Sequence, residues 1–108
     1  MISFNDISKL FSFNLENKYC IEIAFSVKGY PKYQYCWMGK MPDDQNKEKE
    51  LYWYGLTDDG SEGYDYYNFE DFSSAPAFDG KSLKELWDDI EILYMNGCDP
   101  ENMIRSYL

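Results

Sequence analysis

The sequence predicts an α+β domain: an antiparallel sheet of four to five strands, helices packed on one face, and short helices at the N- and C-terminal ends. Three observations predict it. Residues 19–28 alternate apolar and polar side chains with a period of two. Two aromatic-rich segments flank the turn run DDGSEG at 58–63. Apolar residues recur at helical spacing near both ends of the chain.

Ser3 to Phe11 reads as a helix, because Phe4, Ile7, Leu10 and Phe11 fall on one side and Ser3 or Asn5 is placed to cap it. Tyr19, Ile21, Ile23, Phe25 and Val27 alternate with Cys20, Glu22, Ala24, Ser26 and Lys28, which predicts a strand closed by the turn Gly29-Tyr30-Pro31. Tyr33, Tyr35 and Trp37 alternate with Gln34, Cys36 and Met38 and give its hairpin partner. PDDQNKEKE (42–50) reads as a solvated loop, Leu51–Thr57 as a strand and Tyr64–Phe69 as the returning strand. With a loop at 58–63, Thr57 faces Tyr64, Tyr54 faces Tyr67 and Tyr52 faces Phe69. Tyr52, Tyr54, Leu56, Asp65, Tyr67 and Phe69 then share one face, and Leu51, Trp53, Gly55, Tyr64 and Tyr66 the other. Both faces are aromatic, so either elements cover both or one waits for a partner.

The small-residue stretch SSAPAFDG (73–80) precedes a helix that starts at Ser82, where Ser82 and Glu85 match a capping box. Leu83, Leu86, Trp87 and Ile90 lie on its apolar side, and Asp88 and Asp89 on its exposed side. Glu91–Met95 could extend this helix or form a fifth strand; the crowding of Ile92, Leu93 and Tyr94 before Asn96-Gly97, which would end either, favours the strand. Asp99 as N-cap, Pro100 at the first helical position and Glu101 in the first turn begin a terminal helix, with Met103, Ile104, Tyr107 and Leu108 on its apolar side.

A chain of 108 residues is expected to be one domain. Ile, Leu, Val and Phe together number 23, near the level at which disorder becomes the default. The aromatics, 19% of the chain, decide for a folded aromatic core. The net charge is -10, with no histidine, which excludes a His-based triad, a His general base and a His–metal site. No nucleophile motif and no phosphate-cradling Gly-rich loop is present, so no catalytic residue and no cofactor is assigned. With Gly63 at the sixth position of a calcium loop, Asp58 and Glu62 fit, but Gly60 and Phe69 fall where ligands belong, so no metal ligand is assigned either. The acid pairs at 43/44, 58/59, 70/71 and 88/89 are adjacent residues, which on a strand point to opposite faces. Cys20, Cys36 and Cys98 form no disulfide framework and read as buried small apolar groups. The first ten residues lack the pattern of a secretory signal, and no stretch approaches the ~20 apolar residues of a membrane span, so a reducing cytoplasm is the expected setting.

The charge is uneven: residues 1–42 carry a net +2 and residues 43–108 a net -12. The densest acids lie at 58–71, interleaved with tyrosines, and Asp88 and Asp89 add a second group. Tyr and Trp supply rigid contact area with a polar tip, and an acidic field speeds encounter with a basic partner. The candidate binding residues are Tyr54, Asp58, Asp59, Glu62, Tyr64, Asp65, Tyr66, Tyr67, Glu70, Asp71, Asp88 and Asp89. The expected partner is a basic protein; nucleic acid and anionic membrane are repelled by such a surface. The competing reading is a solvated turn that aids solubility.

The stretches LYWYGLTDDGSEGYDYYNF (51–69) and FDGKSLKELWDDIEI (78–92) resemble the small acidic immunity proteins of bacterial toxin–immunity systems. The resemblance is one of character, covers about a third of the chain and transfers no individual residue. It implies an inhibitor that binds one toxin or effector domain tightly and blocks its active site. Two other expectations fit the same acids: a phage or mobile-element protein that mimics nucleic-acid charge to block a defence nuclease, and a structural or regulatory domain whose charge only keeps it soluble.

Overall fold

A computed structural model describes residues 2–12, 20–43, 45, 49–57 and 61–107. In chain order the elements are α1 (Phe4–Ser12), β1 (Ile21–Val27), β2 (Cys36–Pro42), β3 (Glu50–Gly55), β4 (Gly63–Tyr66), α2 (Phe69–Ser74), α3 (Leu83–Leu86), a 3-10 turn (Trp87–Asp89), β5 (Ile90–Met95) and α4 (Pro100–Tyr107). The strands form one antiparallel sheet in the order β4-β3-β2-β1-β5. The fold is therefore α+β, as the sequence predicts, with β4 and β5 at the two edges.

The helices begin where local side chains satisfy their first N–H groups. At α1, Ser3 Oγ accepts from the Asp6 N–H (3.0 Å) while Asp6 Oδ2 accepts from the Ser3 N–H (3.1 Å). At α3 the capping box between Ser82 and Glu85 is complete in both directions. At α4, Asp99 Oδ2 accepts from the Asn102 N–H (3.1 Å), with Pro100 at the first helical position. Asn96 (φ 50°) and Gly97 (φ 76°) supply the two left-handed residues of a tight turn, and Met95 and Cys98 exchange hydrogen bonds across it.

One face of the sheet is the core. Ile23 and Phe25 of β1, Cys36 and Met38 of β2, and Tyr54 of β3 are buried beneath Ile7, Leu10 and Phe11 of α1, Phe72 of α2, and Leu83 and Leu86 of α3. Aromatic rings dominate this core. Phe72 stacks on Tyr54 (4.2 Å, 11°) and lies 5.3 Å from Phe11, and Phe78 meets Tyr33 and Tyr54 edge-on at 5.3 Å. Lys40 belongs to the same face and is 1% exposed; its Nζ donates to the Phe11 carbonyl (2.7 Å), pairs with Glu50 (3.2 Å) and lies over the Tyr52 ring. One lysine thus ties the end of α1 to two strands.

The structure differs from the sequence reading at five places. Phe69 is not the end of a strand; it opens α2, because Asn68 Oδ1 accepts from the Asp71 N–H (2.7 Å) and starts a helix instead. The β3–β4 register pairs Tyr52 with Tyr66, Trp53 with Asp65 and Tyr54 with Tyr64. This is three residues from the expected pairing, and an odd shift exchanges the faces of β4. The second strand starts at Cys36 rather than Tyr33, because residues 30–35 are wound into turns in which the Tyr33 N–H bonds the Tyr30 carbonyl (3.0 Å) and Tyr35 adopts φ 57°. The helix from Ser82 is short, and Ile90 belongs to β5. Cys36 is buried, but Cys20 and Cys98 are exposed, since each stands just outside a strand. On α4, Ile104 is buried and Met103 packs against the core; the Tyr107 side chain and Leu108 lie outside the described residues.

Burial pushes the Tyr54 hydroxyl far above the ordinary tyrosine range, and Tyr52 and Tyr66 are moved upward for the same leading cause. Unfolded tyrosine ionises near pH ~10. The folded state holds its proton there while the unfolded state loses one, so stability is full below pH ~10 and falls as pH rises above it. Tyr54→Phe is expected to reduce that alkaline loss by up to about 1.4 kcal/mol per pH unit. It also removes the 2.6 Å hydrogen bond to the Phe72 carbonyl, at about 1 kcal/mol near neutrality. Urea unfolding of both proteins at neutral and strongly alkaline pH checks the pair of effects.

Candidate functional site

The face of the sheet opposite the helices is built from the other alternate residues of each strand. Its rows follow from the register. Tyr94, Ala24, Trp37 and Gly55 stand side by side across β5, β1, β2 and β3. The next row holds Glu22, Gly39, Trp53 and Asp65, and beyond it Met41 faces Leu51. On the other side of the first row, Glu91 faces Ser26. Tyr94 is 49% exposed, Trp37 38% and Tyr35, just before β2, 51%. Ala24 is fully buried between the rings that flank it. Glu22, Asp65 and Glu91 are exposed around this apolar centre, and Lys49 is placed over the Tyr67 ring beyond the β3 end.

Two features show that these rings are held rather than loosely displayed. Tyr35 lies at φ 57°, a conformation that bulky residues rarely adopt and that costs roughly 1–3 kcal/mol. Its N–H donates to Ser26 Oγ (3.0 Å), and its ring packs edge-on against Trp37 (5.7 Å, 79°). Trp53 lies flat over Gly39, where a Cβ would overlap both the Ile21 carbonyl oxygen and the indole ring. Among the described residues its Nε1–H is buried without an acceptor. Gly39→Ala is expected to push both the β1 backbone at Ile21 and the Trp53 ring aside and lower stability by about 3 kcal/mol or more; a shifted tryptophan emission together with urea unfolding checks it.

The residues expected from the sequence are dispersed. Tyr54 is 2% exposed, bonded to the Phe72 carbonyl, and belongs to the core instead of a surface. Asp58 and Asp59 lie outside the described residues. Glu62 is half-buried and accepts from Lys32 Nζ (3.1 Å), which also reaches Asp79 (3.2 Å); these two carboxylates hold the ammonium well above the usual lysine range. Tyr66 is half-buried and meets Tyr54 edge-on. Tyr64, Asp65 and Tyr67 are exposed at the β4 edge. Glu70 and Asp71 are exposed in the first turn of α2, where negative charge suits the helix dipole, and Asp71 Oδ2 also accepts from Asn68 Nδ2 (3.0 Å). Asp88 and Asp89 are exposed next to β5, at the opposite edge, about 19 Å away across four strand spacings. Asp88 and Asp89 therefore lie apart from Tyr64, Asp65 and Tyr67.

The sequence reading missed Tyr35, Trp37 and Tyr94 as site residues. The signal was present in the alternation that set Tyr35 and Trp37 against Cys36 and Met38. Which set faced the helices was not visible. Among the described residues, no three or more Cys, Asp or Glu side chains stand together as a metal site would need, and no helix is long and apolar enough to cross a membrane. No protein family, curated protein or solved structure matches the chain, so the site is read from its own residues.

Proposed function

We propose that this chain is an acidic binding protein of the inhibitor or immunity type, and that the sheet face opposite its helices docks a basic toxin or effector domain. The observation that carries the reading is the cluster of Tyr35, Trp37 and Tyr94, exposed on a rigid sheet and rimmed by Glu22, Asp65 and Glu91. Exposed, rigidly held Trp and Tyr supply binding energy. The rim and the net charge of -10 select a cationic surface and speed its approach. Tyr67, just past β4, extends the contact area. The residues offer no histidine base and no nucleophile motif, which favours blocking a partner over turnover.

Co-expression with the basic product of a neighbouring gene tests this. The chain is expected to restore growth and to purify in a one-to-one complex, and a chain carrying Trp37→Ala and Tyr94→Ala is expected to do neither. Absence of both complex and rescue with the unaltered chain overturns the reading. Equal rescue by the doubly substituted chain, together with displacement of DNA from the target, overturns it in favour of charge mimicry.

A further inference from the structure

A separate feature lies along the outer edge of β5. Among the described residues that edge is bridged only at Met95, by Cys98 of its own turn. A cleft of about 480 Å³ opens beside it, and Ile90, Glu91, Ile92 and Leu93 all border it. Successive strand residues send their side chains to opposite faces, so four in a row can border one cleft only where it looks onto the strand's edge. Ala24 pairs with Tyr94 but Phe25 with Ile92, so Leu93 is the extra residue of a bulge. Ile2, the start of α4 and the first two residues of the 3-10 turn, Trp87 and Asp88, also line the cleft. Among the described residues, Asp88, Glu91, Asp99 and Glu101 set four carboxylates against one lysine, Lys28, around apolar ground that includes Trp87.

We propose that this cleft takes an extended peptide segment bearing lysine or arginine, added as a sixth strand to β5. An open edge offers backbone donors and acceptors to such a segment, and the cleft receives its alternate side chains. The carboxylates select cationic side chains and reject acidic ones. The cleft shares Glu91 with the rim of the open face, but neither Trp37 nor Tyr35 borders it, so the inference does not rest on docking at those rings.

The test uses the full chain and an acetylated heptapeptide of alternating lysine and valine, followed by NMR and amide exchange. The peptide is expected to slow exchange about tenfold or more at those amides of residues 90–93 that β1 does not bond. The exposed substitutions Asp88→Asn and Glu91→Gln together are expected to weaken it about fivefold or more, with unchanged circular dichroism. Trp37→Ala is expected to leave peptide binding unchanged, which separates this site from the open face. The proposal is overturned if the peptide does not bind, or if its glutamate–valine counterpart or a backbone N-methylated version binds as tightly. Protection at Gly63–Tyr66 in place of 90–93 also overturns it.

Discussion

Lys40→Ala is expected to destabilise the fold by about 2–5 kcal/mol, the range for truncating a long buried side chain. Lys40 is 1% exposed, and its Nζ bonds the Phe11 carbonyl at the end of α1 and faces Glu50 at 3.2 Å. Its removal takes the donor from a helix-end carbonyl, removes the cation that Glu50 faces, and leaves a cavity under the Tyr52 ring. Lys40→Met keeps most of the volume, and Lys40→Met with Glu50→Gln also removes the facing charge. That double variant is expected to recover at least about half of the loss, because Met refills the cavity and no charge is left facing a missing partner. Urea unfolding with matched m-values checks the series. A Lys40→Ala cost below about 1 kcal/mol contradicts the tie between α1 and the sheet.

Trp37→Ala is expected to weaken partner binding by about 2–4 kcal/mol, roughly 30- to 1,000-fold. Trp37 stands between Ala24 and Gly55 in the central row of the open face, so a partner docked there desolvates it fully. It lies outside the helix-covered core, so the same change is expected to cost the free chain no more than about 1 kcal/mol. Titration of the partner by calorimetry, beside urea unfolding of the free variant, reads both. Equal binding with and without the indole contradicts the assignment. Reversal of Glu22 and Glu91 to lysine is expected to act mainly on the association rate and its salt dependence, as rim charges do.

Local signals carried most of the fold. The period-two run gave β1, Ser82 and Glu85 gave the start of α3, and Asp99-Pro100 gave the start of α4. These are interactions between near neighbours, so residue spacing records them. The β3–β4 register is different, because an acidic turn of several residues permits more than one pairing and an odd shift flips every side chain. Helix α2 was missed because Phe69 continued an aromatic run, while Asn68 capping Asp71 was the stronger local instruction. The buried Lys40 was invisible for a physical reason: a charge is rarely placed inside, and its partners Phe11 and Glu50 come from other elements.

The candidate site was legible in kind but not in place. Tyrosines and acids do mark the exposed surface, yet the hairpin acids partly serve Lys32 and the cap of α2. The rings on the open face come from β2 and β5 and the turn before β2, which no local window joins.

The proposed docking surface for a basic partner is the sheet face opposite the helices. Hydroxyl-radical footprinting of the chain, free and in complex with the proposed partner, tests this most directly. Oxidation of Tyr35, Trp37 and Tyr94 is predicted to fall several-fold in the complex, while Phe4 and Met103 on the helical side stay unchanged. Unchanged oxidation of those three rings, with protection confined to the helical side, would contradict it.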